Sequence, residues 1–378
     1  MKNIIIACGG TGGHLTPGIA LAQSLEQMGC SCWLFISQKK VDSRLSSKYP
    51  KLSFVHVHGA PCIKTPLGIL RFFKEVLLSF LQTRKFIRKV GADALIGFGG
   101  FSTFGPALAT LSCRLPFHLH EANRVIGKAV SFLAHRAEKV YLPEGVLLKG
   151  LASEKLIHLG YPLRTDFRKI PMERARQRLG IPMKDRLLVI LGGSQGAVAL
   201  NEWVKENLEE LAMDGISVYC LTGMQKQSCG VVQLEGIGGD TITSRFVDFS
   251  DQVNVVLSAA NLVISRSGAG AIAEIICCRV PAIFVPYPFA ADNHQHANGT
   301  YLEAKGGAVV CDESCIKEQL LDEVRELMFN EEFRSILMRN LYALDRGDMS
   351  LKLARNIIDS LNQAKQNRSP RPVLANCL

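Results

Sequence analysis

The 378-residue chain is 47% apolar and 21% charged, with a net charge of +10. That apolar share is ample for large cores and the modest charge excludes a disordered chain, while the length suits about two domains of roughly 100–200 residues each. The charge is uneven: residues 1–164 carry 21 Lys and Arg against 8 Asp and Glu, and residues 165–378 carry 23 against 26, which predicts an anionic partner for the first half alone.

In chain order, Met1-Lys2 runs straight into a buried-strand pattern, Asn3 to Cys8, without a secretory leader. Gly9-Gly10-Thr11-Gly12-Gly13-His14 follows, then a helix from about Pro17 to Met28. Strands are expected at Cys32–Ser37 and Phe54–Val57, a long helix at Leu67–Val90, a strand at Ala94–Ile96 and a helix at Gly105–Leu111. Phe117–Leu119 is a strand ending in His120-Glu121-Ala122-Asn123, and Val140–Leu142 and Ile157–Leu159 complete the first half. Strands alternating with helices predict parallel βαβ units in an open, doubly wound sheet. Tyr161-Pro162-Leu163-Arg164-Thr165 reads as a hinge. After it, strand Leu187–Leu191 and Gly192-Gly193-Ser194-Gln195-Gly196 repeat the opening of the chain 183 residues on, which predicts a second Rossmann-like domain. Further strands are expected at Ser217–Leu221, Ile242–Val247, Leu262–Ile264, Ala282–Val285 and Ala308–Val310, with helices at Ala271–Cys277, Lys317–Asn330 and Ser350–Gln363. The polar tail from Gln366 is expected to fray.

The twelve cysteines include no CxxC pair, and Cys30/Cys32, Cys277/Cys278 and Cys311/Cys315 lack zinc spacing, so reduced thiols in a cytoplasmic protein are expected. No apolar stretch reaches the roughly 20 residues of a membrane span.

Three Gly-rich loops follow strands, at 9–13, 97–100 and 192–196, and none is GxGxxG or a Walker loop. With no acidic residue closing the second strand, a dinucleotide site is disfavoured. Ligands of open α/β sheets bind at strand carboxyl ends, so two such loops at the matching place in two domains favour binding over mere packing. The densest stretch is Ile264–Asn298. Its small loop Ser265–Gly270 opens a helix, whose free N–H groups and dipole suit an anion. Glu274 lies within two turns of that opening; a carboxylate there suits ribose hydroxyls rather than a phosphate. Asp292-Asn293-His294-Gln295 offers polar side chains with few charges, as a sugar needs. Together these suggest a nucleotide-sugar pocket. Ser194 could add a hydroxyl to a phosphate, and Arg164 or Arg266 could neutralise a diphosphate, against the plainer role of surface arginines. His14 could accept a hydroxyl proton at neutral pH, against a merely structural role. His118, His120 and Glu121 form no metal triad, and no metal site is expected. The helix from Leu67 carries Leu67, Ile69, Leu70, Phe72 and Phe73 beside Arg71 and Lys74. It reads either as a buried crossover helix or as a basic amphipathic element on an anionic membrane face; nucleic acid is disfavoured for want of any recognised module.

GGTGGH, FGGF-x4-P, HExN, G-x-P-x-R-T, GGSQGA, RSGA-x4-E and D-x-x-Q-x-x-N occur here in this order. In this the chain resembles glycosyltransferase family 28, the peripheral-membrane N-acetylglucosaminyltransferases of peptidoglycan synthesis, from about Lys2 to Ile358. The resemblance implies a GT-B fold, α/β with two Rossmann-like domains whose parallel sheets face a central cleft: residues 1–163 for acceptor and membrane, joined by a C-terminal helix at 345–363, and residues 164–344 for the donor, with 364–378 a flexible tail. It implies inverting transfer of GlcNAc from UDP-GlcNAc to the C4 hydroxyl of MurNAc-(pentapeptide)-diphospho-undecaprenol (lipid I), giving lipid II and UDP without metal or cofactor. Its donor-binding positions fall on Thr11, Gly12, Gly13, Asn123, Arg164, Ser194, Val247, Ala269, Gly270, Ala271, Ile272, Ala273, Glu274 and Gln295, with His14 as general base or positioning group. It also implies a place on the cytoplasmic face of the bacterial inner membrane, with cell-wall or division proteins as possible partners. HEAN, GYPLR and His294 depart from the commoner HEQN, GNPVR and Gln. The rivals are another UDP-sugar enzyme, such as a glycolipid glycosyltransferase or a UDP-GlcNAc epimerase, and a nucleotide-binding scaffold.

Overall fold

Two seven-stranded sheets organise the chain. The computed structural model describes residues 1–61, 63, 65–193, 196–223 and 229–368, the side chains of 40, 41, 44 and 364–368 excepted. The first unit comprises Met1–Ala122, Ile126–Thr165 and the segment from Asp348; the second comprises Asn123–Val125 and Asp166–Gly347.

The first sheet contains β1 (Asn3–Ala7), β2 (Ser31–Ile36), β3 (Ser53–His56), β4 (Ala94–Gly97), β5 (Phe117–His120), β6 (Lys139–Leu142) and β7 (Leu156–His158). Their order is β3-β2-β1-β4-β5-β6-β7, and every pairing is parallel. A parallel sheet is covered on both faces, which is why its strands read as unbroken apolar runs. Ile4 and Ile6 face one layer, together with Leu15 and Ile19 of the helix Gly12–Gln27 and with Leu353, Ile357 and Leu361 of the C-terminal helix Met349–Arg368. Ile5, Phe35, Leu95 and Phe117 face the other.

The second sheet contains β8 (Arg186–Leu191), β9 (Ile216–Leu221), β10 (Gly230–Glu235), β11 (Thr241–Val247), β12 (Leu262–Ser265), β13 (Ala282–Phe284) and β14 (Val309–Val310). The order is β10-β11-β9-β8-β12-β13-β14, parallel except for the antiparallel β10–β11 hairpin. This is the two-sheet α/β class expected from the strand–helix alternation. β1 lies between β2 and β4, and β8 between β9 and β12. Both Gly loops therefore leave their sheets where the strand order reverses, the place such sheets reserve for ligands.

Some elements differ from expectation. The first helix starts at Gly12, five residues before Pro17, and carries that proline inside it. Thr11, extended at φ −152°, is its N-cap, so the Gly-rich loop flows directly into the first turn. β10 escaped the periodicity because it is a largely exposed edge strand, which needs only one partner and no apolar run. The helix Glu331–Leu344 buries only Leu337 and Leu341 and starts where the Asn330 side chain accepts the Phe333 N–H at 3.0 Å. The C-terminal helix runs to Arg368, past Gln363 and into the expected tail; residues 369–378 lie outside the described residues.

The long basic helix spans Pro66–Val90, with Thr65 accepting the Gly68 N–H at 3.1 Å and Gly91 closing it at φ +60°. Among its residues only Ser79, Thr83 and Ile87 are fully buried. It crosses the helix Phe104–Ser112 where a Cβ on Gly105 would lie 2.5 Å from that of Ser79, an approach only glycine permits. Its outer face leaves Leu67, Leu70 and Phe73 80%, 68% and 63% exposed. The helix is the crossover between β3 and β4, and its exposed outer face shows that it is not a buried one. Phe72 points inward, its ring edge-on to Phe104 at 5.7 Å. Among the described residues no helix is long and apolar enough to cross a membrane.

Candidate active site

In the first unit the chain leaves β1 through Gly9 and Gly10. A Cβ on Gly9 would stand 2.3 Å from the Ser37 nitrogen, and Gly10 holds φ +111°. Thr11 and Gly13 are exposed, Gly12 and His14 half-buried. Thr11 Oγ1 lies 3.2 Å from His14 Nδ1, and the His14 N–H donates to the Thr11 carbonyl at 3.1 Å. The imidazole packs against the loop after β4: a Cβ on Gly100 would lie 3.0 Å from His14 Cε1, and one on Gly99 3.7 Å from Nε2. Two of the three sequence-marked Gly loops thus meet around His14. Arg164 donates to the Tyr49 hydroxyl at 2.5 Å.

In the second unit the helix Ala269–Cys278 begins at Gly268 with no side chain capping it. Residues 268–274 are all half-exposed, so the first-turn N–H groups and the positive end of the dipole face outward. The helix His294–Ala304 packs beside it. Ser267 Oγ donates to the Gln295 carbonyl at 2.8 Å, and Asn298 Nδ2 donates to the Ser267 carbonyl at 3.2 Å and to Asn123 Oδ1 at 3.1 Å. Asn298 Oδ1 in turn accepts the Arg124 N–H at 2.9 Å. One buried asparagine therefore gathers Asn123, the start of the Ala269–Glu274 segment and the Gln295 turn. Gln295 Oε1 accepts the Tyr287 N–H at 3.0 Å. Asp292 and Asn293 both adopt left-handed backbone, φ 52° and 53°, strain of the kind that collects at ligand loops.

The second Gly loop is as constrained as the first. A Cβ on Gly192 would lie 2.5 Å from the Ala197 nitrogen, and one on Gly196, at φ +79°, 2.3 Å from the Thr222 carbonyl. Thr222 also bonds the Val247 carbonyl, by its N–H at 2.9 Å and its hydroxyl at 3.2 Å. Val247 and this loop consequently share one corner. Ser194 lies outside the described residues, and the following helix begins at Val198 rather than at the loop itself.

Arg266 is committed elsewhere. It donates to the carbonyls of Val285 at 3.1 Å and Pro286 at 3.3 Å and ion-pairs with Glu313, so it braces the loop rather than waiting for a diphosphate. His118 and His120 are buried, His118 stacked on Tyr141 and His120 tilted against Phe98. Burial, with Lys139 adding to it, brings His118 down to about 4. Burial likewise lowers His120 to about 4, with the Gly160 backbone partly offsetting it and His14 reinforcing it. Two residues escaped sequence reasoning. Asn298 stood in a motif without a role, and Asp42, whose carboxylate holds the first Gly loop, had no signal in its own neighbourhood.

The glycosyltransferase family 28 N-terminal domain matches residues 4–142, and the family's C-terminal domain matches 187–346. A UDP-N-acetylglucosamine--N-acetylmuramyl-(pentapeptide) pyrophosphoryl-undecaprenol N-acetylglucosamine transferase of Opitutus terrae is 41% identical over 96% of this chain and 96% of its own. A protein of the same description from Carboxydothermus hydrogenoformans is 30% identical over 97% of this chain and 99% of its own. The crystal structure of Acinetobacter baumannii MurG shares the fold with a TM-score of 0.69 at 23% identity, over 96% of this chain and 100% of that one. The kitacinnamycin glycotransferase does so with a TM-score of 0.70 at 15% identity, over 95% and 99%.

Proposed function

The chain belongs to glycosyltransferase family 28, and on that premise we propose that it transfers GlcNAc from UDP-GlcNAc to the C4 hydroxyl of lipid I, releasing UDP and forming lipid II. The observation that carries this reading is the outward-facing, uncapped start of the helix Ala269–Cys278, with Glu274 farther along the helix and Gln295 tied beside it through Ser267. Backbone N–H groups of Ala269, Gly270 and Ala271 bind the diphosphate. Glu274 accepts from the ribose hydroxyls, Gln295 donates to the GlcNAc hydroxyls, and backbone at Val247 meets the uracil. Thr11, Gly12, Gly13, Asn123, Ser194, Ile272 and Ala273 complete the donor contacts.

His14 takes the proton from the acceptor C4 hydroxyl. The oxygen attacks the anomeric carbon from the face opposite UDP, the C1–O bond to the β-phosphate breaks, and configuration inverts. The electron pair leaves on UDP, where fixed N–H dipoles and the Arg164 guanidinium stabilise it, with no metal in this scheme. Leu67, Ile69, Leu70 and Phe73, with Arg71 and Lys74, rest on the anionic cytoplasmic face of the inner membrane, where the acceptor's lipid is found. Phe72 supports them from inside. Cell-wall or division proteins are the partners this location suggests.

UDP release from UDP-GlcNAc, followed with and without a lipid I analogue, tests the reading. Release that requires acceptor and yields disaccharide is expected, with a loss of about 100-fold or more and unchanged UDP affinity in His14→Ala. Turnover without acceptor would overturn it in favour of an epimerase.

A further inference from the structure

Asp42 is fully buried on the short helix Lys40–Ser46. One oxygen, Oδ2, accepts three bonds: from the Gly10 N–H at 2.8 Å, the Ser37 N–H at 2.9 Å and the Ser37 hydroxyl at 2.6 Å. The other end of the Gly10 residue is held as well, because Lys39 Nζ donates to the Gly10 carbonyl at 3.0 Å. Ser102 Oγ fixes the preceding Gly9 carbonyl at 2.6 Å, and the Phe101 ring covers Gly10, lying 3.3 Å from where a Cβ would be. A Gly-rich loop normally aims such an N–H at a ligand anion. Here a resident carboxylate has taken that place, so the Gly10 N–H is unavailable to a phosphate. Burying a carboxylate is costly unless donors compensate it. An apolar residue would leave the Gly10 and Ser37 N–H groups unbonded.

We infer that Asp42 is a positioning residue for the transfer reaction, acting through Gly10 on Thr11 and His14, with Lys39 as the second hold on the same residue. The loop makes this transmission short. Gly10 leads at once to Thr11, whose carbonyl receives the His14 N–H at 3.1 Å and whose hydroxyl lies 3.2 Å from the imidazole. Release of the Gly10 N–H would let Thr11 swing and would free the imidazole to shift against Gly99 and Gly100. The inference rests on the reading of His14 as the proton acceptor.

The test combines kinetics with the His14 imidazole resonances, recorded on UDP-saturated protein. Asp42→Asn keeps an acceptor oxygen but loses the charge that strengthens its bonds. It is expected to fold, to keep UDP affinity within about twofold, and to lose kcat by about 10-fold, with displaced His14 resonances; Asp42→Ala should lose about 100-fold, the scale of a small misplacement of a reacting group. Lys39→Met attacks the other hold without touching the carboxylate and should move the same resonances, so the inference stays testable if Asp42→Ala does not fold. Unmoved His14 resonances with kcat within about twofold in folded Asp42→Asn would overturn it. So would a kcat loss matched by an equal loss of UDP affinity. Should His14→Ala itself stay active, the reading of His14 fails, whereas unmoved resonances in Asp42→Asn would refute the clamp on its own.

Discussion

Acid should unfold this protein through two histidines on one strand. His118 and His120 of β5 are 0% and 1% exposed, and each is lowered from 6.5 to about 4. Both are therefore neutral in the fold at neutral pH, while in the unfolded chain they protonate near 6.5. Between pH 6.5 and 4 the unfolded state binds more protons, so stability rises with pH there. It is fully present above the unfolded value and is lost as pH falls toward the folded one. At pH 5 each histidine forfeits about 2 kcal/mol, hence about 4 kcal/mol for the pair. That is a large share of the roughly 5–15 kcal/mol typical of a folded domain. Glu26, Asp185 and Glu323, raised chiefly by burial, act with the opposite sign, so the histidine contribution is read from variants that share them. The assay is urea unfolding at pH 7.5 and pH 5 of the native chain, His118→Phe and the double variant with His120→Phe. The carboxylate background is common to all three, so the pH-dependent part of the stability loss should shrink by about 2 and about 4 kcal/mol respectively. An unchanged drop in the double variant would refute the assignment to buried, neutral imidazoles.

Gly196→Ala places a methyl 2.3 Å from the Thr222 carbonyl at a backbone φ of +79°. It should cost about 1–3 kcal/mol and weaken UDP binding, read by urea midpoint and titration calorimetry; full UDP affinity would show that this corner does not face the donor. Replacing Leu70 and Phe73 together by Ser should leave the fold intact, because both side chains stand out from the helix. It should also lower partition onto anionic vesicles by about 10-fold or more, measured by sedimentation. Unchanged partition would remove the helix Pro66–Val90 from the membrane contact.

Much of this architecture is local and so was legible in the chain. The apolar run of β1 and its Gly-rich exit, the same device at β8, and Thr65, Pro66 and Gly91 around the long helix are decided by side chains within a few residues of one another. Strand period, capping oxygen and left-handed glycine act at that range whatever the rest of the chain does. Helix periodicity likewise marked Leu67 to Phe73 as apolar. Which of these faces inward was a matter of what lies opposite, and only the Phe104–Ser112 helix turned Phe72 in and left Phe73 out. Arg266 and Arg164 are alike in sequence as loop arginines, yet Glu313 and two carbonyls engage the first and Tyr49 the second. Asp42 meets Gly10 across 32 positions, and Asn298 meets Asn123 across 175. Hydrogen bonds are short-ranged and directional, so no pattern in either neighbourhood announces such a pair. Those partners become neighbours only once the strands have paired and set the positions of the loops that follow them. For that reason the fold and the kind of ligand were determined by the sequence alone, while the groups that hold the site in shape were chosen by the tertiary structure.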